Sequence, residues 1–276
     1  PEEINYREGD KKRFLIKAKT SDKLLIFGTN GHIYTLLVNL LPSGRTNGEP
    51  IRLLTDLPNQ TEIVNVLIFN SDLCAIVSSN VGDGFIIKHE DMLAQTRSGK
   101  KIINLKTGVF ANCLKNIEGD AIASIGTNRK LLIFKIEELP VLNRGKGVRL
   151  QKFKDATLSD ITSFELESGL VWFDKSGRKK VENNFENWLG KRAQSGKIAP
   201  KYFPKNKTVI KTIFKIIGAA EAAANLLCEF KIAPKKEDKL TNNKNGKVIL
   251  VKVVANSNFL ESSIKPGAIN PTKIGI

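Results

Sequence analysis

The sequence predicts an all-β protein built from propeller-like blades of four short strands. Three observations support this fold class: a recurring hairpin pattern, a glycine-containing turn at a constant offset from each hairpin, and four apolar runs in each repeating unit. The chain has 276 residues, 41% of them hydrophobic. A chain of this size and composition can bury a substantial core.

Four segments share the pattern of apolar run, polar turn and apolar run. This pattern is typical of β-hairpins, because Gly and Asn tolerate the positive φ angles that tight hairpin turns require. The segments are residues 24–36, 74–87, 121–134 and 170–181. Their turn residues, which recur about every fifty residues along the chain, are Gly31, Gly82, Arg129 and Gly177.

A second landmark, which we call a glycine box, follows each hairpin turn at a nearly constant offset. The first to fourth boxes are residues 44–53, 96–105, 143–150 and 191–199. Their turn glycines are Gly48, Gly99, Gly147 and Gly196. Two landmarks that keep both their period and their mutual offset through four copies indicate a structural repeat.

Between successive boxes the sequence predicts four strands. In the second unit the predicted strands are residues 51–54, 62–69, 73–77 and 85–88. Four strands in about fifty residues are typical of one propeller blade. We expect the spans that end in Leu41, Leu93, Leu139 and Leu189 to pack each blade on its neighbour.

The charge balance favours a polyanionic partner. Lys and Arg number 44 against 28 Asp and Glu, which gives a formal charge of +16. Nucleic acid is the leading partner, and an anionic membrane surface is second. Neither a long apolar stretch nor a signal peptide is evident, so the sequence predicts a cytoplasmic protein with no membrane partner.

The glycine boxes supply candidate DNA-binding residues, because exposed cations on rigid turns can contact phosphates. Since Glu49 lies in the first box, we expect that box to be weak and the later, acid-free boxes to be stronger. The alternative for each single lysine is plain solvation. The predicted DNA-binding residues are Arg45, Arg97, Lys100, Lys101, Arg144, Lys146, Arg149, Lys191, Arg192 and Lys197.

No enzyme signature emerges from the sequence. The cluster at residues 144–147 lacks the full phosphate-binding string and the strand–loop–helix context of a nucleotide site. The two histidines and three cysteines lack the spacing of metal ligands. We therefore predict no catalytic residue, no metal and no cofactor.

Several segments resemble a known family. They are INYREGD at 4–10, GDGFIIKHEDMLAQTRSGKKIINL at 82–105, ELPVLNRGKGVRLQ at 138–151 and WLGKRAQSGKIAPKYFP at 188–204. These residues resemble the C-terminal domain of the A subunit of bacterial type IIA topoisomerases, topoisomerase IV more closely than gyrase. The resemblance implies a β-pinwheel, in which neighbouring blades exchange strands, and an outer edge that carries and bends duplex DNA.

The same resemblance implies a non-catalytic part of an ATP-dependent topoisomerase, whose catalytic tyrosine domain lies outside these residues. Its implied partners are duplex DNA, the catalytic domain of the same polypeptide and, through that domain, the ATPase B subunit. The implied location is the bacterial nucleoid. Two alternatives stay open: the DNA-wrapping domain of gyrase, whose Gln-Arg-Arg-Gly box has no match here, and a propeller-like protein-interaction module.

The predicted domain organisation has two parts. Residues 1–209 are expected to form the β-pinwheel, with an incomplete first blade, and residues 210–276 a C-terminal extension to which we assign no role. Within the extension, residues 214–230 have helical character and residues 247–254 resemble a strand.

Overall fold

The structure, a computed structural model, describes residues 12–42, 50–173, 176–201, 203, 248–254 and 262–263. Seventeen strands and two four-residue α-helices make up most of the regular structure in these ranges. The predicted all-β class is therefore confirmed. Arg45 and the turn glycine of the first box lie outside the described residues.

Blade 1 is an antiparallel sheet whose central hairpin is β2 (Lys23–Gly28) and β3 (His32–Leu37). Its inner strand is β4 (Ile63–Ile68), which pairs with β2. The outer strand is β7 (Lys100–Lys101), which comes from the second glycine box and pairs with β3. The strand order is thus β4-β2-β3-β7.

Blade 2 repeats this arrangement with the strand order β11-β6-β5-β8. The hairpin is β5 (Cys74–Ser79) and β6 (Asp83–Lys88), and the inner strand is β8 (Ala111–Asn116). The outer strand is β11 (Val148–Arg149), which the third glycine box supplies.

Blade 3 has the order β12-β9-β10-β15. Its hairpin is β9 (Ala121–Gly126) and β10 (Lys130–Lys135), and its inner strand is β12 (Leu158–Phe164). The fourth box supplies the outer strand β15 (Lys197–Ile198). Each of these three blades therefore takes its outer strand from the box of the following unit.

Two smaller sheets complete the described strands. The fourth hairpin, β13 (Leu170–Phe173) and β14 (Lys179–Glu182), forms a two-stranded sheet that we call blade 4. At the other end of the repeat, β1 (Lys12–Lys19) pairs with β16 (Val248–Val254), which in turn pairs with β17 (Ser262–Ser263). The predicted strand at 247–254 is confirmed, whereas the predicted helical segment at 214–230 lies outside the described residues.

The hairpin strands are apolar on both faces because each blade is covered by a neighbour on either side. In β5, Cys74 and Ile76 pack against blade 3, while Ala75 and Val77 pack against blade 1. Since successive strand residues point to opposite faces, burial of both faces requires a continuous apolar run. The core thus consists of apolar layers between successive blades.

The turns at the hairpin tips have the predicted backbone conformation. Gly31, Gly82, Arg129 and Gly177 have φ angles of 79°, 84°, 64° and 78°. Arg129 is a non-glycine residue in the left-handed region, where L side chains are strained. The periodic turn residues identified in the sequence therefore occupy equivalent backbone positions.

One predicted strand is wrong. Residues 51–54 form the short helix α1 (Ile51–Leu54), and the second helix is α2 (His89–Met92). Pro50 precedes α1, and both the N–H and the hydroxyl of Thr55 donate to the carbonyl oxygen of Ile51. Pro50 is the N-cap residue, and the two hydrogen bonds from Thr55, the C-cap residue, close the single turn onto the carbonyl of its first residue.

The four predicted packing leucines do not behave alike. Leu41 and Leu139 are buried, and Leu93 is partly buried against the core between blades 1 and 2. Leu189 is 50% exposed, so its predicted core role is wrong. The preceding residue, Trp188, packs against the core between blades 3 and 4 instead.

Polar contacts also join the inner strands of neighbouring blades. The ammonium of Lys115 in β8 lies 2.6 Å from Oδ1 of Asp160 in β12. Burial raises the pKa of Asp160, and the charge of Lys115 opposes that shift. The amide of Asn65 in β4 donates to the carbonyl of Leu114 in β8 at 2.7 Å. These contacts fix the alignment of adjacent inner strands.

His89 is a fully buried histidine that closes the inner end of blade 2. Its Nδ1 accepts a hydrogen bond from the backbone N–H of Asn70 at 3.2 Å, and its Nε2 lies 3.0 Å from Oδ1 of Asn116. Both contacts are satisfied by the neutral ring with its proton on Nε2. Burial lowers the pKa of His89 below its ordinary value, and the hydrogen bond to Asn116 opposes this shift.

The lowered pKa makes stability pH-dependent. The unfolded chain binds a proton at His89 below about pH 6.5, whereas the folded chain binds it only at lower pH. We expect the contribution of neutral His89 to be complete above that pH and to be lost as the pH falls through the lowered pKa. Thermal unfolding at pH 7.5 and 5.5 should show a smaller drop in melting temperature for His89→Gln than for the wild type. Equal drops would contradict this assignment.

Candidate nucleic-acid interface

The second, third and fourth glycine boxes are each held against the hairpin of the preceding unit in one constant register. Lys101 lies opposite His32, Arg149 opposite Asp83 and Ile198 opposite Lys130. In every case the residue after the hairpin turn faces the second residue after the box glycine. The boxes are therefore equivalent in three dimensions as well as in sequence.

A backbone hydrogen bond closes each of these three boxes onto the hairpin turn. The N–H groups of Ile102, Leu150 and Ala199 donate to the carbonyl oxygens of Gly31, Gly82 and Arg129, at 3.0, 2.7 and 2.9 Å. These donors stand three residues after their box glycines and have buried side chains. The apolar residue thus anchors the box, while the residues before it stay at the surface.

The box glycines are required by backbone geometry and by close packing. Gly99, Gly147 and Gly196 have φ angles of 77°, 78° and 71°. A Cβ atom on Gly147 would overlap the carbonyl oxygen of Gly84, and one on Gly196 would overlap that of Leu131. Glycine is the residue that combines a left-handed conformation with such close backbone approach.

Each of these boxes also accepts a hydrogen bond from a residue at or just beyond the end of the preceding box. The N–H of Asp56 donates to the carbonyl of Arg97, that of Asn104 to Gly145, and that of Lys152 to Gln194, at 3.0, 2.7 and 3.0 Å. Each acceptor stands two residues before a box glycine. The second, third and fourth boxes therefore form one continuous backbone rim.

The arginine at the start of each of these boxes reaches back to the preceding box. Nη2 of Arg97 donates to the carbonyl of Leu53 at 2.7 Å, and Nε of Arg144 donates to Oδ1 of Asn104 at 3.4 Å. Nη1 of Arg192 donates to the carbonyl of Arg149 at 2.7 Å. These guanidinium groups keep further donors, so they can join neighbouring boxes and still present positive charge.

The lysines of the rim differ in what they contact. Lys100 donates to the backbone carbonyl of Asp91 at 2.5 Å. Among the residues that the structure describes, the side chains of Lys101, Lys191 and Lys197 have no hydrogen-bond or ion-pair partner. Lys191 and Lys197 are exposed and Lys101 is half-buried. These three ammonium groups are the predicted cations that are most available to an external anion.

The third box contains no acidic residue, but an acid from the hairpin of blade 2 lies beside two of its cations. Asp83, from the hairpin of blade 2, has a side chain only 7% exposed and lies 3.1 Å from Nζ of Lys146 and 3.6 Å from Nε of Arg149. This carboxylate reduces the local field of both cations. Asp83 is not adjacent to the box in sequence, so only the pairing register reveals the contact.

Arg52, which the sequence places among the cations of the first box, supports the local structure. Its guanidinium donates to the carbonyl oxygens of Leu57, Pro58, Asn59 and Thr61. This arginine therefore ties α1 to the loop that follows it. A second acid, Asp56, lies 3.6 Å from Nε of Arg97.

In the described ranges, no group of three or more His, Cys, Asp or Glu side chains is arranged to hold a metal ion. Over the same residues, none of the helices has the length and apolar character needed to cross a membrane.

Comparison with known proteins identifies relatives of this chain. No protein-family model matches the chain. The chain is 43% identical over 203 residues to the A subunit of DNA topoisomerase 4 from Rickettsia conorii, a match that covers 74% of the chain and 27% of that relative. The chain is thus similar to the C-terminal part of A subunits of DNA topoisomerase 4. It spans about 27% of the length of the Rickettsia relative.

Solved structures agree with this assignment. The E. coli ParC C-terminal domain superposes with a TM-score of 0.63 at 22% identity, covering 74% of this chain and 86% of that one. The DNA gyrase A C-terminal domain superposes less well, with a TM-score of 0.51 at 18% identity over 69% of this chain and 64% of that one. The predicted resemblance to topoisomerase IV and the β-pinwheel fold are thus confirmed.

The close packing of the box glycines can be tested with a matched pair of variants. Gly108 has a φ of 77° but open space around it, whereas Gly147 has the same conformation and a packed carbonyl. Gly108→Ala should cost about 1–2 kcal/mol of stability through backbone strain alone. Gly147→Ala should cost about 2 kcal/mol more, because a backbone segment must also move. Urea unfolding measures both, and equal costs would contradict the steric argument.

The ion pairs of the buried Asp83 carboxylate lead to a second prediction, which concerns stability. Replacing Lys146 and Arg149 together with Ala leaves that carboxylate without its cations, so the double variant should lose about 1–3 kcal/mol of stability. Adding Asp83→Asn should recover part of the loss, while Arg144→Ala serves as the control and should change stability little. If the triple variant unfolds at the same denaturant concentration as the double variant, the ion pairs do not stabilise the fold.

Proposed function

We propose that the chain binds duplex DNA along the rim formed by the second, third and fourth glycine boxes. The observation that carries this proposal is the chain of backbone hydrogen bonds from box to box, which holds cations of three units on one continuous surface. Phosphate contacts dominate the affinity of proteins for DNA, and they require cations on rigid, exposed positions. The formal charge of +16 supports the same partner.

Binding is expected to have little sequence preference. The two α-helices in the described residues have four residues each, too short to act as a recognition helix in the major groove. The lysine ammonium groups of the rim can donate to phosphate oxygens, and such contacts carry no sequence information. The domain therefore contributes affinity and DNA bending along the outer edge of the pinwheel.

Within a topoisomerase, this role is to position the DNA segment that is transported during decatenation and relaxation of supercoils. The domain itself performs no catalysis. Its proposed partners, in the bacterial nucleoid, are the catalytic domain of the same polypeptide and, through that domain, the ATPase B subunit. The relatives support this proposal through their identity as A subunits of DNA topoisomerase 4.

Two other functions predict different behaviour. A gyrase-type wrapping domain would introduce positive superhelical writhe in DNA, whereas the domain proposed here bends DNA without stable wrapping. A protein-interaction module would bind an acidic protein with no retention on duplex DNA. Topology assays with a relaxed circular DNA and binding assays with a linear duplex distinguish the proposed function from these two alternatives.

Two rim lysines that have no hydrogen-bond or ion-pair partner among the described residues allow a direct test of whether DNA binds along the rim. Lys101→Ala with Lys197→Ala removes two rim cations, while Lys88→Ala with Lys135→Ala removes two cations from the opposite ends of the hairpin strands. If each rim lysine contacts one phosphate, the slope of log affinity against log salt should become shallower by about 0.9 per residue, or about 2 in total.

The control pair should leave the slope unchanged, because it removes the same charge away from the rim. Fluorescence anisotropy with a short duplex between about 50 and 200 mM salt covers the range in which such contacts are measured. Equal slopes for the two double variants would show that net charge, and not the rim, governs binding.

A further inference from the structure

Arg129 is a hairpin-turn residue that departs from the pattern of the other units. It has a φ of 64°, and the equivalent residues of the other three hairpins are the glycines Gly31, Gly82 and Gly177. Its N–H closes the turn by donating to the carbonyl oxygen of Gly126 at 2.9 Å. A left-handed conformation is strained for an L side chain and free of strain for glycine. The fold of the third hairpin therefore gives no reason for an arginine at this turn.

The first two hairpins have no room for a side chain at the equivalent position. A Cβ atom on Gly31 would lie 2.9 Å from the carbonyl oxygen of Ile103, and one on Gly82 would lie 2.6 Å from the ring of Phe153. Both separations are shorter than an ordinary van der Waals contact. The third hairpin accommodates the Cβ of Arg129 and the side chain beyond it. A cation thus occupies a turn whose surroundings admit a side chain.

Among the described residues, the guanidinium of Arg129 is a half-buried cation with no hydrogen-bond or ion-pair partner. Its Nε is shielded from solvent and makes no hydrogen bond within the same ranges. Arginine stays protonated in proteins, so this group cannot lose its charge. A shielded charge without a counter-charge costs free energy. Glycine would avoid both this cost and the backbone strain, which points to a compensating interaction with an external anion.

Arg129 lies on the rim, next to the fourth box. Its carbonyl oxygen accepts a hydrogen bond from the N–H of Ala199, the buried anchor of that box, at 2.9 Å. The fourth box also carries Lys191 and Lys197, two exposed lysines that have no partner in the part of the chain that the structure describes. The third hairpin therefore adds a further unpaired cation to the same part of the rim.

We propose that Arg129 is a DNA-contacting residue, whose guanidinium binds a phosphate of the duplex beside the fourth box. This assignment rests on the proposed function of the rim and extends it from the glycine boxes to a hairpin turn. Arginine can donate two parallel N–H bonds to phosphate oxygens, so one phosphate supplies both the hydrogen-bond acceptors and the counter-charge. The interaction in the complex then compensates the strain of the free domain.

Three substitutions of Arg129 separate its charge from its backbone strain. Arg129→Gly removes both, Arg129→Gln removes the charge and keeps a side chain in the left-handed conformation, and Arg129→Lys keeps both. If the guanidinium contacts one phosphate, the slope of log affinity against log salt should become shallower by about 0.9 in the Gly and Gln variants. The Lys variant should keep the wild-type slope. Fluorescence anisotropy of the full chain with a short duplex measures each slope.

Lys135→Ala is the matched control. Lys135 is the exposed last residue of β10 in the same hairpin, at the end of the strand opposite the turn. Its removal lowers the net charge by the same amount, but away from the rim. We therefore expect the control variant to keep the wild-type slope.

Thermal unfolding distinguishes a role in binding from a role in the fold. Arg129→Gly should melt at or above the wild-type temperature, because the strain and the shielded charge are removed together. The greater freedom of glycine in the unfolded chain limits this gain. An arginine that mainly supported the fold would instead give a melting temperature lower by about 2–4 °C or more on replacement.

Three results would overturn the assignment of Arg129: wild-type slopes in both the Gly and Gln variants, an equal loss of slope in Lys135→Ala, or a lowered melting temperature of Arg129→Gly. If the Arg129 variants keep the wild-type slope while Lys101→Ala with Lys197→Ala makes it shallower, the rim binds DNA and the role of Arg129 alone is wrong. No retention of the wild-type chain on duplex DNA would refute the proposed function itself, and this contact with it.

Discussion

The pairing of each box strand with the hairpin of the preceding unit is the constraint on which the rest of the structure depends. These outer strands are only two residues long, as in β7, β11 and β15. Such a short strand is held because the box glycine brings its backbone against the hairpin and an apolar residue three positions later is buried behind it. Blades 1, 2 and 3 thereby each depend on the sequence of the next unit.

This exchange explains why the blades form one cooperative assembly. Four-stranded sheets of short strands gain little stability alone, since they need apolar cover on both faces. Here the alternate residues of β2, β5 and β10 enter two different core layers, and polar contacts such as Lys115 to Asp160 join the inner strands. The inner edge is aligned by these polar contacts and the outer edge by the boxes, so both edges of each blade have a defined register.

The rim combines structural and electrostatic demands in the same residues. Arg97, Arg144 and Arg192 connect one box to the preceding box, and Lys146 and Arg149 balance the buried Asp83. The lysines without such contacts add positive charge at no structural cost. The net charge of the rim therefore overstates the positive charge available to an anion, because acidic side chains of the protein compensate part of that charge.

The repeat, the hairpin turns, the all-β class and the positions of the box cations follow from the amino-acid sequence alone. These features are local: a positive φ at Gly31 or Gly82 and an apolar run such as 24–27 have the same meaning wherever the segment lies. The folded structure was needed to show that residues 51–54 form a helix, that Leu189 is exposed and Trp188 packed, and that Asp83 faces Lys146 and Arg149. The helix depends on hydrogen bonds from Thr55 to Ile51 and from Arg52 to the following loop, which the apolar pattern of residues 51–54 does not reveal. The surroundings of Leu189 and Asp83 depend on pairing between segments more than one repeat apart, such as Ile133 with Leu189 and Asp83 with Arg149. No pattern within either segment specifies which side chains that pairing brings together.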